Sequence, residues 1–454
     1  MPGNLTFDAL KAMVSAGEID TVLACIVDMQ GRLMGKRFTA AHFVASAWEE
    51  THCCNYLLAT DLEMDTPDGY ASTSWQAGYG DYMMKPDLAT LRLVPWLEGT
   101  AMVLCDIRDH HDHHDIAFSP RAILKRQIAR ARDMGLTPMM ATELEFFLFK
   151  GDYNSLRETG YRGLQPYSPY NLDYHMLATT KEEHVMRPIR NHLVAAGVPV
   201  ENSKGEAEAG QEELNIRYAE ALDCADNHTI AKQAVKEIAW SQGVSATFLS
   251  KWKAGKVGSA SHVHLSLWED GTPAFYDPSD PHGMSPRMKS FCAGMLAYAA
   301  EATAFMAPYV NSYKRFARGT FAPTKIAWSV DNRTAGFRLC GEGSKAVRME
   351  CRIPGADVNP YLAQAALLAA GLKGLEDGLA LGAPVTGDLY GDASVPEIPG
   401  SLAAACERLS GSAMLRAAMG DDVVDHYVRA AEVELEAFEA AVTDWEIARG
   451  FEKA

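Results

Sequence analysis

Met140-Ala141-Thr142-Glu143-Leu144-Glu145-Phe146-Phe147-Leu148-Phe149 places two carboxylates, two residues apart, inside an otherwise apolar run. Side chains at i and i+2 of a strand share a face, so Glu143 and Glu145 point the same way. Ser261-His262-Val263-His264-Leu265-Ser266-Leu267 does the same with two imidazoles. In Val347-Arg348-Met349-Glu350-Cys351-Arg352-Ile353, Arg348, Glu350 and Arg352 line one face and apolar side chains the other. A half-exposed antiparallel strand shows this alternation with its polar residues simply in water. Three such strands carrying carboxylates, imidazoles and guanidiniums instead suggest one cleft that holds metal ions and anions together.

Gly205-Glu206-Ala207-Glu208-Ala209-Gly210-Gln211-Glu212-Glu213 adds a glycine-rich turn that returns Glu206 and Glu213 to one place. Hard divalent ions such as Mg²⁺ or Mn²⁺ prefer carboxylate oxygens, with imidazole better tolerated by Mn²⁺. A pair of such ions suits phosphoryl transfer. The anion side is supplied by Arg315, Arg333, Arg338, Lys345, Arg348 and Arg352, interleaved with Phe316, Trp328 and Phe337. Guanidinium forks fit carboxylate and phosphate oxygens.

Around these motifs the chain divides. A Gln30-Gly31 turn joins two short runs between Thr21 and Phe38, as a hairpin would. Asp65 to Pro86, with Pro67, Gly69, Gly78 and Gly80, reads as a long loop. A strand at Thr100–Asp106 leads into the His110–Asp115 cluster, which reads as a solvated connection and sets a boundary between residues 1–112 and 113–454. Ser119-Pro120 starts a helix that Gly135 ends. Strands and helices alternate to about residue 355, and beyond Asn359-Pro360 the chain turns Ala/Leu-rich and helical, with a last helical region from Leu402 to Arg449. This is an α+β pattern. No apolar run reaches the ~20 residues that would cross a bilayer, and Met1–Leu10 shows no export signal. Nine irregularly spaced cysteines suggest reduced thiols in a cytoplasm. A net charge of −17 argues against a nucleic-acid partner.

Taken in order, Glu143-Leu-Glu145, Gly210-Gln-Glu-Glu213, His262-Val-His264, Asn311-Ser-Tyr-Lys-Arg315, Asn332-Arg333 and Arg348-Met-Glu350-Cys-Arg352 ahead of Asn359-Pro-Tyr resemble the glutamine synthetase family. The resemblance implies a small N-terminal β-grasp-like domain and a large catalytic domain with a curved antiparallel sheet. It implies an ATP-dependent ligase that activates the γ-carboxylate of L-glutamate as γ-glutamyl phosphate. One metal site would be Glu145, Glu206 and Glu213; the other would be Glu143, His262 and Glu350. Glutamate would be held by Glu145, Gly258, His262, Arg315, Arg333 and Arg352. ATP would be held by His264, Ser266, Arg338, Lys345 and Arg348. Family members form stacked rings, here expected as a dodecameric homo-oligomer, with active sites between subunits.

The chain departs from the ammonia-using members in its flap. Their Gly-Tyr-Glu-Ala-Pro is Gly319-Thr320-Phe321-Ala322-Pro323 here, so a ring replaces the carboxylate that receives ammonium. An apolar ring fits an amine bearing an apolar group, although one buried methyl is worth only about 0.8 kcal/mol. The flap is similar to that of γ-glutamylmethylamide synthetases, which makes methylamine the expected acceptor. Ethanolamine and polyamines compete, and ammonia remains open if Asp61 or Asp173 takes the proton instead.

Overall fold

A computed structural model describes residues 3–454. Thr21–Val27 (β1) and Leu33–Thr39 (β2) form the expected antiparallel hairpin. The Asp28 carboxylate accepts the Gln30 and Arg32 amides and closes the turn, and Gly31 takes φ 80°. Thr51–Cys54 (β3), Asp81–Pro86 (β4), Arg92–Leu93 (β5) and Thr100–Asp109 (β6) complete a sheet in the order β2-β1-β6-β4-β3, with β5 beside β6. The end of the stretch expected as a loop is therefore a strand. Tyr82, Met83 and Met84 are buried between β3 and β6, and that burial outweighs the glycine-rich lead-in.

The second sheet is built on Thr137–Lys150 (β7), a 14-residue strand. Its other members are Val200–Gly205 (β8), Gln211–Ile216 (β9), Ala219–Glu220 (β10), Val244–Thr247 (β11), Val263–Glu269 (β12), Thr272–Pro273 (β13), Trp328–Val330 (β14), Phe337–Cys340 (β15) and Arg348–Cys351 (β16). The main order is β14-β15-β16-β12-β7-β9-β8. Neither sheet is purely antiparallel: β1 lies parallel to β6, and β14 parallel to β15. β1 and β6 lie far apart in sequence, whereas only residues 331–336 separate β14 from β15, and in neither pair does alternation along a strand reveal its direction.

Helices pack against the sheets and against one another. Pro120–Asp133 begins at Ser119 with Pro at its first turn, but the Ser119 hydroxyl makes no cap hydrogen bond. Pro360–Glu376 is capped by the Asn359 side chain on the Tyr361 amide and is buried almost all round, as its Ala/Leu composition requires. It crosses Pro286–Ala297 where Gly294 meets Gly374; a Cβ on Gly374 would stand 2.2 Å from the Ser290 carbonyl oxygen. The last helical region is four helices rather than one, at Leu402–Ser410, Ala413–Met419, Asp421–Ala440 and Asp444–Gly450. Gly420, at φ 101°, separates the second from the third.

The N-terminal sheet is tied to the helices that follow it by buried charge. Arg121 pairs with Asp87 and Asp106 of the N-terminal part at 2.8 and 2.6 Å, and with Asp226 at 2.9 Å. Asn359 donates to the Asp28 and Met29 carbonyls. Among the described residues, no helix is long and apolar enough to cross a membrane. All nine cysteines are free, and burial pushes the Cys53 thiol up to about 12, so Cys53 is not a reactive thiolate.

Candidate active site

Glu143 and Glu145 sit where β7 is flanked on both edges. On one edge their amides donate to the His262 and Ala260 carbonyls leading into β12; on the other β9 pairs from Glu143 onward, which puts Glu145 directly opposite Glu213. The alternation of β7 aims both carboxylates into the opening. Behind them, Leu144, Phe146 and Leu148 join a buried cluster.

Glu143 gathers both histidines. His262 Nδ1 lies 2.6 Å from one of its oxygens and His264 Nε2 lies 3.0 Å from the other. His264 faces Glu350 across the β12–β16 ladder. The ligand atoms of Glu143, His264 and Glu350 all come within 4.8 Å of one another. His262, the expected third member of this group, also borders both carboxylates, its Nδ1 2.6 Å from Glu143 and 3.4 Å from Glu350, so both imidazoles stand at this position. Arg348 Nε donates to His264 Nδ1, so the Nε2 hydrogen faces Glu143. Although burial opposes its charge, hydrogen bonds from His262 and His264 hold Glu143 well below the usual carboxylate range. Burial likewise opposes the Glu350 charge, but Arg352, His262 and His264 bring it down to about 2.

The second group is Glu145, Glu206 and Glu213, also within 4.8 Å of one another. Glu145 accepts from the Ala260 amide at 2.7 Å and the Gln211 amide at 3.2 Å. Burial and the neighbouring Glu206 raise Glu145 to about 8; burial, Glu143 and Glu206 raise Glu213 to about 9. Three carboxylates forced together in a buried place, without enough cation beside them, are what a divalent-ion site presents before it is filled. Oxygen donors with a single imidazole nitrogen fit Mg²⁺ or Mn²⁺. Among the described residues these two are the groups that converge closely enough to hold an ion. The His110–Asp115 segment is an exposed turn instead.

Glu143 is shared by two cavities. The smaller, about 300 Å³, is lined by Glu143, Glu145, Glu206 and Glu213, by Gly258, His262, Arg315, Arg333, Arg338 and Arg352, and by Asp173 and Phe321 at its mouth. Arg315 and Arg352 are 2% and 3% exposed, yet the Nε of each has no partner. Buried, unspent guanidinium donors call for an anion. Gly258 must be glycine, because a Cβ there would stand 2.4 Å from the Ser250 carbonyl oxygen and 2.7 Å from Arg315. The larger cavity, about 540 Å³, is lined by His264, Ser266, Lys345 and Arg348. It also holds Tyr218 and Trp268, which sequence reading passed over. Trp268 continues the one-face series His262, His264, Ser266, so period-two spacing could have found it. Asp61 does not reach either cavity of its own chain; it lines a separate one with Glu63 and Glu434.

Residues 117–450 match the sequence profile of the glutamine synthetase catalytic domain. The chain belongs to the glutamine synthetase family. It is 47% identical over 451 residues to the γ-glutamylethanolamide synthetase GlnA4 of Streptomyces coelicolor, covering 99% of this chain and 96% of that one. It is 37% identical to a glutamate–isopropylamine ligase of Pseudomonas sp, covering 97% and 96%. Among solved structures, GmaS in complex with ADP superposes with a TM-score of 0.84 at 27% identity, covering 98% of this chain and 99% of that one. As a glutamine synthetase family member it carries the fold of a ligase family that uses ATP and divalent ions and assembles as oligomers.

Proposed function

We propose that this glutamine synthetase homologue is an ATP-dependent ligase that joins the γ-carboxylate of L-glutamate to a small primary alkylamine. The observation that carries this reading is the pair of cavities meeting at Glu143, one fitted for a carboxylate and one for a nucleotide, with Phe321 at the flap position where ammonia-using members carry a glutamate. Arg315 and Arg352 hold the glutamate, and Gly258 lets it approach the backbone. Tyr218 and Trp268 flank the base of ATP, and Lys345, Arg348 and Ser266 hold its phosphates.

Glu143 and Glu350 with His262 or His264, and Glu145, Glu206 and Glu213, would hold divalent ions, which when bound would supply positive charge to the phosphate oxygens. The γ-carboxylate oxygen attacks the γ-phosphorus and ADP leaves, while Arg333 and Arg338 face the transferring phosphoryl group. The amine nitrogen then attacks the γ-glutamyl phosphate carbonyl and phosphate leaves. Asp173, exposed at the cleft mouth, takes the amine proton. Phe321 covers the alkyl group and helps to exclude water that would waste the acyl phosphate.

Ethanolamine is the favoured acceptor, because the 47%-identical relative is named for it. Methylamine, the expectation from sequence, comes second and is supported by the flap and by the likeness to GmaS. We further assign residues 1–112 and 113–454 as the two domains. The assembly is read as stacked rings, a dodecamer, in the cytoplasm, in which Asp61 serves a neighbouring subunit's cleft. The deciding experiment is ADP release with ammonium, methylamine, ethanolamine, isopropylamine and putrescine. The highest kcat/KM should fall on ethanolamine or methylamine; if ammonium leads, the alkylamine reading fails.

A further inference from the structure

Lys204 has no part in the chemistry above, yet it reaches the centre of the site. It lies on β8, directly opposite Glu213 in the β8–β9 ladder. Its ammonium is bonded to the Glu206 carboxylate and stands 3.9 Å from Glu213 Oε2. It also sits 4.6 Å from the centre of the Tyr174 ring, a favourable place for a cation. Only 17% of the side chain is exposed.

Glu206 is thus claimed twice. It belongs to the Glu145–Glu206–Glu213 group that converges on an ion position, and it is the partner of a tethered ammonium. A monovalent cation fixed on the chain therefore covers part of the empty site's charge. A divalent ion ligated by Glu206 must displace that ammonium or share the carboxylate with it, and two cations within a few ångströms repel.

We propose that Lys204 is a built-in counter-cation of this metal site, competing with the divalent ion for Glu206, so that the site gives up metal affinity in exchange for a stable empty state. The enzyme's metal occupancy is then set partly by Lys204 and Tyr174, and these two residues tune its dependence on free metal. The inference rests on reading the three glutamates as a metal site.

The test is Mn²⁺ binding to the full chain without nucleotide or glutamate, followed by electron paramagnetic resonance or calorimetry. Lys204→Met should tighten Mn²⁺ at the Glu206-dependent site roughly tenfold and lower the melting temperature of the metal-stripped protein. Lys204→Arg should stay near wild type. The Lys204→Met effect should vanish in a Glu206→Gln background, because the two residues act as one pair. If Lys204→Met does not fold without metal, Tyr174→Leu removes the ring on which the ammonium rests and should move affinity the same way by less. Unchanged or weaker Mn²⁺ binding in Lys204→Met overturns the proposal and makes Lys204 a positioning residue for Glu206. If wild type shows no Glu206-dependent Mn²⁺ binding, the metal assignment itself falls, and the proposal with it.

Discussion

Glu350 is the most heavily committed single residue in the cleft. Its side chain is fully buried and takes Arg352 at 2.5 Å and Arg338 at 2.9 Å on separate oxygens. Removing one member of such a buried pair leaves charges with no partner, at a cost of about 3–5 kcal/mol. Glu350→Ala should therefore abolish ADP release and also lower the denaturation midpoint; an active variant would contradict the assignment of Glu350 to the metal group. At the flap, Phe321 is held at φ 58°, a strained conformation for a residue with a Cβ. Its carbonyl oxygen accepts from Arg352, and the neighbouring Ala322 carbonyl accepts from Tyr390. Phe321→Glu should shift the kcat/KM ratio towards ammonium over ethanolamine by roughly tenfold, since burying a few methylene equivalents is worth only 1–3 kcal/mol. An unmoved ratio would remove Phe321 from amine selection. Tyr390 is spent on anchoring this flap. Most of these residues were readable in sequence because a charged side chain in an apolar strand is conspicuous. Lys204 and Tyr218 were not, because an isolated lysine or tyrosine on a half-exposed strand or loop looks like any solvated surface.

Among the elements, β7 shows what alternation can and cannot reveal. Period two fixed the shared face of Glu143 and Glu145, but nothing in the run announces that the lead-in to β12 holds one edge of this stretch and β9 the other. Those flanking strands bring His262 and Glu213 to the two carboxylates. The same holds for β12, where the pattern marks His262 and His264 as equals and only the pairing of His264 with Glu350 separates them. The helix Pro360–Glu376 was legible as buried from its composition, whereas its partner was not. Close crossing needs glycine on both sides, and the contact is long-range. Gly374→Ala should cost about 1–3 kcal/mol, because its Cβ would press on the Ser290 carbonyl oxygen and the Gly294 backbone rather than on a flexible side chain. Chemical denaturation should show a lower midpoint with an unchanged slope; an unshifted midpoint would mean that the helices separate without loss.

For the whole molecule, the consequence of the acidic cleft is a linkage between protons, metal and stability. Glu145 and Glu213 are raised to about 8 and about 9 by burial and by their neighbours, against an unfolded value near 4.5. The metal-free folded chain therefore keeps protons that the unfolded chain releases. The stability they contribute is full below about pH 4.5 and is lost as pH rises towards 8–9, with a slope of at most about 1.4 kcal/mol per pH unit for each group. Metal binding runs the other way, because both carboxylates must shed their protons to ligate. The rise in melting temperature on adding Mg²⁺ should accordingly grow from pH 6 to pH 8.5, with protons released to the buffer at the lower pH. Other buried acids, such as Glu212 at about 10, titrate in both states of the site and cancel in the difference with and without Mg²⁺. In Glu213→Gln the pH dependence of that difference should flatten. A Mg²⁺ effect that is constant across this range in wild type would show that the two carboxylates are already ionised in the empty site, and the electrostatic account of the Glu145–Glu206–Glu213 group would fail with it.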